Sequence, residues 1–271
     1  MTATGVPGSD PLPPLFRPRQ LLRIPPPLQR EPTAVLEWRA LRRDPIWHGL
    51  GVPEAAPRSI GLIPGFLAGD ASLGSLTEWL RGLGHRTARV GIRMNVGCST
   101  ALVDRLEERV ERLAERHGRP VMLIGQSRGG LLARGLAMRR PDLVDKVVSL
   151  GSPHTSPFAV HPLVLAQVGL VSALGTLGVP GLFGDDCFRG ECCEDFRRQA
   201  FSPLPEGVQH VSIYSRTDGV VDWRSCLAEG AEHVEVPGTH SGMAVNRHVY
   251  RVLARTLAAR VDRPAPLAAA A

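Results

Sequence analysis

The stretch that decides the fold of this chain is VMLIGQSRGGLLARGLAMRRPDLV, residues 121–144. A continuous apolar run ends at Gly125, Ser127 lies between Gly125 and the pair Gly129–Gly130, and leucines and alanines then recur at helical spacing. A short apolar run bounded by turn residues predicts a buried strand, and the spacing after it predicts a helix. A single hydroxyl at such a strand-to-helix bend is typical of a nucleophile if the chain also supplies a base and an acid.

Strands and helices alternate on both sides of this stretch. The predicted strands lie within SIGLIPGF (59–66), HRTARVGI (85–92), PVMLIG (120–125), VDKVVSLGSP (144–153), VQHVSIYSR (208–216) and AEHVEVPG (231–238). The predicted helices lie within residues 72–84, 99–118, 127–141 and 241–261, and Ser99 or Thr100 is the expected cap of the second. Alternation without hairpin signals predicts parallel βαβ units, and therefore an α/β fold with a doubly wound, mostly parallel sheet.

The composition of the sequence also divides the chain into segments. Residues 1–57 form a Pro-rich N-terminal arm, residues 58–262 the α/β domain, and residues 263–271 a C-terminal tail. The arm contains one short amphipathic helix within TAVLEWRALRRDPIW (33–47), and its first dozen residues are alternatively a flexible tail. The apolar residues for which we expect burial in this helix and after it are Leu36, Trp38, Leu41, Ile46 and Trp47.

An insertion over residues 153–205 interrupts the alternation of strands and helices. Insertions of this length between two strands commonly form a cap, so we predict a helical lid. Its apolar segment 160–177 is too hydrophobic to stand alone in water, and we expect it to pack over the active site. A weak membrane-surface contact is the alternative, although the basic polar face that favours such contacts is missing.

Composition and charge exclude some classes of partner. The net charge is +6, but the basic residues are nearly all scattered arginines, Lys146 is the only lysine, and aromatic residues make up 5%. A nucleic-acid partner is therefore not predicted. The N-terminus lacks a basic start followed by an apolar stretch, and no apolar run reaches the ~18 residues of a membrane span. We expect a cytoplasmic protein, with an extracytoplasmic location as the less favoured alternative.

The chain has five cysteines, Cys98, Cys187, Cys192, Cys193 and Cys226. The paired C-x2-C spacings that are typical of zinc sites are absent, so no metal ligand and no cofactor is predicted. The cluster CFRGECC (187–193) could contain one disulfide bridge, and reduced thiols are the plainer interpretation. An odd number of cysteines argues against a complete disulfide framework.

The catalytic partners of Ser127 are sought after the strands that follow it. In hydrolases with a strand–serine–helix turn the acid comes next in the chain and the histidine last. Asp218 follows the strand that ends in SIYS, and His240 follows the last strand, just before the final helix. We therefore predict Ser127 as nucleophile, His240 as general base and Asp218 as the supporting acid. Asp222 is the rival acid, and His154 precedes every suitable acid, so we assign it to the lid attachment or the pocket wall.

An oxyanion hole needs two backbone donors beside the nucleophile. Arg128 follows the nucleophile and supplies one, and the loop after the first core strand supplies the other, with Phe66 as first choice and Leu67 as second. Gly65 permits the close backbone approach that such a loop requires. Leu67 and His154 are also predicted to contact the substrate.

The motifs IPGF, GQSRGG, LGSPH, SRTDGVVDW and GTHSGM, in this order, resemble those of the α/β-hydrolase superfamily and, more narrowly, of its bacterial lipases and esterases. The resemblance covers roughly residues 58–260. It implies the α/β-hydrolase fold and a serine esterase that acts through an acyl-enzyme on a small ester or lipid. Two positions depart from the pattern: Pro64 replaces a histidine that many lipases carry, and Arg128 replaces a smaller or differently polar residue.

Hydrolysis of carboxylic esters is therefore the predicted reaction, with no metal or organic cofactor. The same three groups also serve acyltransferases and thioesterases, which the residues do not separate from an esterase. A non-catalytic homologue that keeps the pocket is the alternative from a different functional class. The sequence carries no signal for the oligomeric state.

Overall fold

The computed structural model describes residues 27–259, and the core of this region is a sheet of six strands. The strands are β1 Ser59–Ile63, β2 Arg86–Arg89, β3 Val121–Gln126, β4 Val144–Leu150, β5 Gln209–Tyr214 and β6 Glu232–Glu235. Their order across the sheet is β2-β1-β3-β4-β5-β6, and every neighbouring pair is parallel. The predicted α/β fold with a parallel sheet is confirmed.

Eight α-helices accompany the strands within the described residues. They are α1 Ala34–Arg43, α2 Gly74–Gly82, α3 Ser99–His117, α4 Arg128–Arg139, α5 Pro162–Thr176, α6 Asp185–Arg189, α7 Glu194–Phe201 and α8 Arg247–Ala258. Gly118 ends α3 in the left-handed conformation (φ 61°), as the sequence predicts. The predicted caps of α3 are wrong, because Cys98 holds the cap position and Ser99 is the first helical residue.

The sheet is covered on both faces, which makes the fold doubly wound. Alternate residues of β3 point into two separate cores, Met122 and Ile124 into one, Val121 and Leu123 into the other. The first core contains residues of α2 and α8, and the second contains residues of α3, α4 and α7. Strands buried on both faces are continuous apolar runs, which explains why β3 and β4 are apolar along most of their length.

The register of the strands places their carboxyl ends side by side. Gln126, the last residue of β3, pairs with Leu150 at the end of β4, and Leu150 pairs with Ile213 near the end of β5. The chain leaves β1 outward to β2 and then returns to the other side of β1 as β3. The strand order therefore reverses between β1 and β3, and such a reversal opens a crevice at the carboxyl edge of the sheet.

The described part of the N-terminal arm packs on this edge. Leu41 and Ile46 are buried and Trp47 is partly buried, as predicted, but Leu36 and Trp38 are 58% and 41% exposed. The expectation of burial is wrong for these two because α1 turns only a narrow face towards the core. The first 26 residues of the arm and the predicted end of the domain with its tail (260–271) lie outside the described residues.

The predicted insertion contains α5, α6 and α7 and packs beside α3 and α4. The apolar helix within it spans Pro162–Thr176, and only Val171 and Ser172 are buried. One side of the helix contacts the core, while Leu163, Leu170 and Leu174 are exposed on the helix. The expectation that the whole apolar segment packs inward is therefore only partly correct. Within residues 27–259, no helix combines the length and the apolar character needed to cross a membrane.

Candidate functional site

Ser127 occupies a strained turn between β3 and α4. Its backbone has φ 52° and ψ −121°, and Leu67 is the only other non-glycine residue in 27–259 with a positive φ. Such a conformation is costly for an L residue and persists where the surrounding structure enforces it. The Ser127 amide donates to the Leu150 carbonyl (2.9 Å), and the Gly130 amide donates to the Ser127 carbonyl (3.0 Å). The predicted strand–serine–helix turn is therefore present.

The glycines around Ser127 are required by close backbone contacts. A Cβ at Gly125 would lie 2.3 Å from the Gly129 carbonyl oxygen, and a Cβ at Gly129 would lie 2.2 Å from the Ile63 carbonyl oxygen. Carbon and oxygen atoms that are not bonded do not approach so closely, so a side chain at either position would push α4 away from the sheet. These residues hold the start of α4 against β1 and keep Ser127 at the bend.

His240 and Asp218 form a buried pair on the neighbouring loops. His240 Nδ1 and Asp218 Oδ2 are 2.7 Å apart, and both residues are less than 10% exposed. The other oxygen of Asp218 accepts from the amides of Val220 (2.8 Å) and Val221 (2.7 Å). These bonds fix the carboxylate, which in turn orients the imidazole ring. The rival acid, Asp222, instead accepts from the Arg224 amide at the start of a helical turn.

The electrostatic surroundings of His240 favour its protonated form more than water does. Burial alone would lower the pKa of His240, but the charge of Asp218 and the hydrogen bond to it outweigh burial, so the pKa is raised above its ordinary value. A histidine of this kind accepts a proton readily and stabilises the imidazolium that results.

Two contacts join the His240–Asp218 pair to the strand ends. A Cβ built on Gly151, just after β4, would lie 3.0 Å from Asp218 Oδ2 and 3.1 Å from His240 Nδ1. The Gln126 side chain, immediately before Ser127, donates to the His240 carbonyl (3.0 Å). The three predicted catalytic residues thus lie at the same edge of the sheet, although 113 residues separate Ser127 from His240 in the chain.

The loop after β1 lies against the nucleophile, where the oxyanion hole was predicted. A Cβ at Gly65 would be 3.2 Å from the Ser127 Cβ. Phe66, Ser127 and Arg128 line the same cavity, and Arg128 is the first residue of α4. The amides at the start of a helix carry partial positive charge, which suits the stabilisation of an oxyanion.

The side chain of Arg128 holds the loop between β2 and α3 in place. Its guanidinium donates to the Asn95 carbonyl (2.9 Å), the Gly97 carbonyl (2.7 Å) and the Ser99 hydroxyl (2.9 Å). Burial lowers the pKa of Arg128 to about 10, so the group stays charged at neutral pH. Asn95 is itself bonded to the loop after β1, because its side chain donates to the Pro64 carbonyl (2.7 Å). The unusual residue after the nucleophile therefore braces the loop that carries Phe66.

An apolar cavity of about 160 Å³ opens beside Ser127. Most of its wall comes from the 153–205 insertion, which contributes Pro157, Phe158, Val160, Val164, Leu165, Val168, Phe183, Cys187, Phe188, Phe196, Arg197 and Phe201. Phe66, Leu131 and Val220 complete the apolar lining from the core. The polar residues among its apolar walls are Ser127, Ser99, Arg128 and Arg197, and such a cavity suits a ligand that is mostly apolar.

Comparison with known proteins identifies the family of the chain. The family model of palmitoyl protein thioesterases matches residues 46–199, more than half of the chain. The chain belongs to the palmitoyl protein thioesterase family. The match includes Ser127 and the loop after β1 but ends before Asp218 and His240. No curated protein matches the sequence.

Three solved structures that share the fold of this thioesterase-family chain are lipases or esterases with little sequence similarity to it. A Bacillus licheniformis lipase in its mature form has a TM-score of 0.57 at 15% identity, covering 76% of this chain and 94% of its own. A metagenomic carboxyl esterase has a TM-score of 0.56 at 17% identity, covering 77% and 76%. A monoglyceride lipase from Saccharomyces cerevisiae has a TM-score of 0.53 at 14% identity, covering 76% and 87%. Together with the family match they confirm the predicted α/β-hydrolase superfamily.

Two residues predicted to contact the substrate do not line the cavity. Leu67 has a positive φ (60°) and is 42% exposed, outside the cavity wall. His154 is buried behind the site, its ring packed edge-on against His210 at 5.0 Å, and burial holds its pKa well below 6.5. Neither of its ring nitrogens has a hydrogen-bond partner among residues 27–259. The predicted contact of these two residues with a substrate stays a prediction.

The site of this thioesterase-family chain also contains a residue that sequence reasoning missed. Glu31, from the N-terminal arm, accepts hydrogen bonds from three amides: those of Gly219 (2.8 Å), His240 (3.0 Å) and Ser241 (2.7 Å). Burial acts to raise the pKa of Glu31, but the bonds from the Ser241, His240 and Gly219 amides outweigh it and lower the pKa. Its carboxylate therefore joins the Asp218 loop to the His240 loop.

A second carboxylate of the arm holds the other end of the His240 loop. Glu37 accepts from the amide and hydroxyl of Thr239 (both 2.8 Å) and from the side-chain amide of Asn246 (2.7 Å). Both glutamates lie about 200 residues away in the chain from the groups that they bind. No local pattern in the Pro-rich arm marks them, so only the folded chain reveals their role.

Proposed function

We propose that the protein is a serine hydrolase that cleaves carboxylic esters through Ser127, His240 and Asp218. The observation that carries the proposal is the buried 2.7 Å bond between His240 and Asp218, on loops that meet the strained turn of Ser127. A hydroxyl is a poor nucleophile until a base takes its proton, and a base fixed by a buried carboxylate is suited to that task. The fold and the family of hydrolases support the proposal.

The proposed reaction has two half-reactions. Ser127 Oγ attacks the acyl carbonyl while its proton passes to His240, and the backbone amides of Phe66 and Arg128 stabilise the oxyanion. His240 then gives the proton to the leaving alcohol, which departs and leaves an acyl ester on Ser127. Water attacks this acyl-enzyme, again losing a proton to His240, and the carboxylic acid and free Ser127 are released.

The cavity supports a substrate with an apolar acyl group. An apolar cavity of about 150 Å³ accepts a ligand the size of benzene, and the cavity beside Ser127 has about the same volume. In the conformation described here a short acyl chain therefore fits better than a palmitoyl chain. We expect p-nitrophenyl butyrate to be hydrolysed with a higher kcat/KM than p-nitrophenyl palmitate.

Thioester hydrolysis is the second candidate, favoured by the match to palmitoyl protein thioesterases. The catalytic groups serve both reactions, because the acyl-enzyme is the same and only the leaving group differs. A butyryl thioester and a butyryl oxyester with leaving groups of similar size separate the two. A higher kcat/KM for the thioester would make it the main substrate class.

Ser127→Ala tests the proposal directly. Wild-type protein should hydrolyse the ester and react with a fluorophosphonate probe at Ser127. The alanine variant should lose at least about 10⁴-fold in kcat and all labelling. Ser225→Ala, which removes a buried hydroxyl outside the cavity wall, is the matched control and should retain labelling. A folded wild-type protein that neither turns over esters nor reacts with the probe would instead favour a non-catalytic binding role.

A further inference from the structure

Four of the five cysteines meet where the 153–205 insertion contacts the core. Cys98 precedes α3, Cys187 lies in α6, and Cys192 and Cys193 lie in the helical turn between α6 and α7. Their four sulfur atoms all lie within 4.8 Å of one another. The sequence prediction of no metal ligands relied on local spacing, and it missed the cluster because Cys98 lies 89 to 95 residues from the others.

We propose that Cys98, Cys187, Cys192 and Cys193 bind one zinc ion as a tetrathiolate site. Zinc takes four ligands in a tetrahedron with Zn–S distances of about 2.3 Å, which places neighbouring sulfur atoms about 3.8 Å apart. The sulfur of Cys98 is 3.6 Å from that of Cys192 and 3.5 Å from that of Cys193, and Cys187 is 3.6 Å from Cys192. Small shifts of side chains bring these four atoms to the corners of that tetrahedron.

The distances favour a shared centre over two disulfide bridges. Cys98 is almost equally close to Cys192 and to Cys193, and Cys192 is equally close to Cys98 and to Cys187. A disulfide would require each sulfur to choose one partner at about 2.05 Å. The arrangement does not indicate a unique set of disulfide bridges, whereas one metal ion can bond to all four sulfur atoms at once.

A zinc ion and the four thiolates that bind it form a centre with a net charge of −2, and the surroundings of the cluster suit this negative charge. The amino end of the 19-residue helix α3 points at the cluster, and the positive end of a helix stabilises thiolates. The Arg128 guanidinium donates to the groups on either side of Cys98, the Gly97 carbonyl and the Ser99 hydroxyl. The Thr100 hydroxyl lies 3.5 Å from the Cys193 sulfur and donates to the Cys192 carbonyl (3.1 Å).

The proposed site is structural, because four protein ligands complete the coordination shell and leave no position for a substrate. Its effect is to fasten the insertion to the core next to the cavity. Cys187 and its neighbour Phe188 both line the cavity. Zinc binding would therefore hold one wall of the cavity in place, with Arg128 as the link between the cluster and the nucleophile.

Metal analysis of the full-length protein tests the site without any activity measurement. Protein expressed with added zinc, freed of loosely bound metal by gel filtration in EDTA, should contain about one zinc per chain. Cys192→Ser is the main variant, because Cys192 is exposed and a serine there should not disturb folding. It should lose nearly all the zinc, while Cys226→Ala, at the buried cysteine outside the cluster, should retain it.

Two further measurements do not depend on a variant that folds. Titration of wild-type protein with a mercurial should release the zinc as the thiols react. Protein grown with cobalt should show the thiolate-to-cobalt charge-transfer absorption of a tetrahedral site. Wild-type protein that contains no zinc, whether its four thiols are free to alkylation or oxidised in bridges, would overturn the proposal. Full zinc content in Cys192→Ser, or cobalt-grown protein that lacks the thiolate-to-cobalt absorption, would do the same.

Discussion

Replacing Glu31 by glutamine tests whether the N-terminal arm positions His240, the proposed general base. In the structure the two carboxylate oxygens of Glu31 accept three backbone hydrogen bonds, from Gly219, His240 and Ser241. A glutamine of the same size keeps one acceptor oxygen and presents an amide group in place of the other. At least one of the three backbone amides then loses its partner and faces another donor.

The expected magnitude follows from the bonds that are lost. A hydrogen bond to a charged group contributes about 1.5–3 kcal/mol, and the lower end applies because Glu31 is only half-buried. A cost of about 1.5 kcal/mol reduces the population of the ordered His240 loop about tenfold relative to its disordered alternatives. We therefore expect Glu31→Gln to lower kcat/KM by up to about tenfold, with KM little changed because Glu31 is outside the cavity wall.

The variant also changes the charge near the imidazole ring. Asp218 contributes most to the raised pKa of His240, and Glu31 adds to it as a further negative charge. The base is active when neutral, so kcat/KM of the wild type rises with pH through this raised pKa, above about 6.5. Without the charge of Glu31 the imidazolium is less stable and the pKa of His240 falls. The rise of kcat/KM on the acid side of the pH profile (the acid limb) therefore moves to lower pH.

The assay is the pH dependence of kcat/KM for a short p-nitrophenyl ester, with Glu37→Gln as the matched control. Glu37 holds the same loop through Thr239 and Asn246 but does not contact His240. Its variant should lose activity without a shift of the acid limb. An unchanged limb in Glu31→Gln, or an equal shift in both variants, would refute the reasoning, because a purely structural role lowers the rate without moving the pKa.

Two other substitutions test the turn and the acid. Gly129→Ala should lower the free energy of unfolding by about 1–3 kcal/mol, because its Cβ would lie 2.2 Å from the Ile63 carbonyl oxygen. Urea denaturation measures this change. The control is Gly74→Ala, at a helical position with open space around it, which should leave the free energy of unfolding unchanged. Asp218→Asn should reduce kcat about 10⁴-fold because the amide no longer orients and charges the histidine, whereas Asp222→Asn should stay near wild type; equal losses in both would contradict the assignment of the acid.

The positions that the sequence predicts to meet at one place in the fold are those tied to strand ends. Ser127, Asp218 and His240 each follow an apolar run that ends in turn residues, and such runs are recognisable within a few residues of chain. Because parallel strands place their carboxyl ends at one edge of the sheet, three separate local patterns predict one common location. The structure brings them together there.

The parts that the sequence does not predict depend on contacts between distant segments. Glu31 and Cys98 have no periodic pattern around them, and their partners lie between about 90 and 210 residues away. For Leu36 and Trp38 the sequence predicts a contact that the structure lacks. Their apolar character predicts burial, but α1 packs on the core through a narrow face that leaves both side chains exposed. His154 follows β4, but its buried ring packs against His210 and is not part of the cavity wall.

The hydrogen bonds of Glu31 also set an order of events during synthesis of the chain. Its partners Gly219 and Ser241 are made 188 and 210 residues after it. At about 5–20 residues per second, the ribosome needs roughly 10–40 seconds to cover that distance. Ser127 is made 96 residues after Glu31, about midway through this interval, whereas the His240 loop is made only at its end. The nascent chain therefore carries Ser127 well before it carries His240, and Glu31 can join the two loops only once Ser241 has been made.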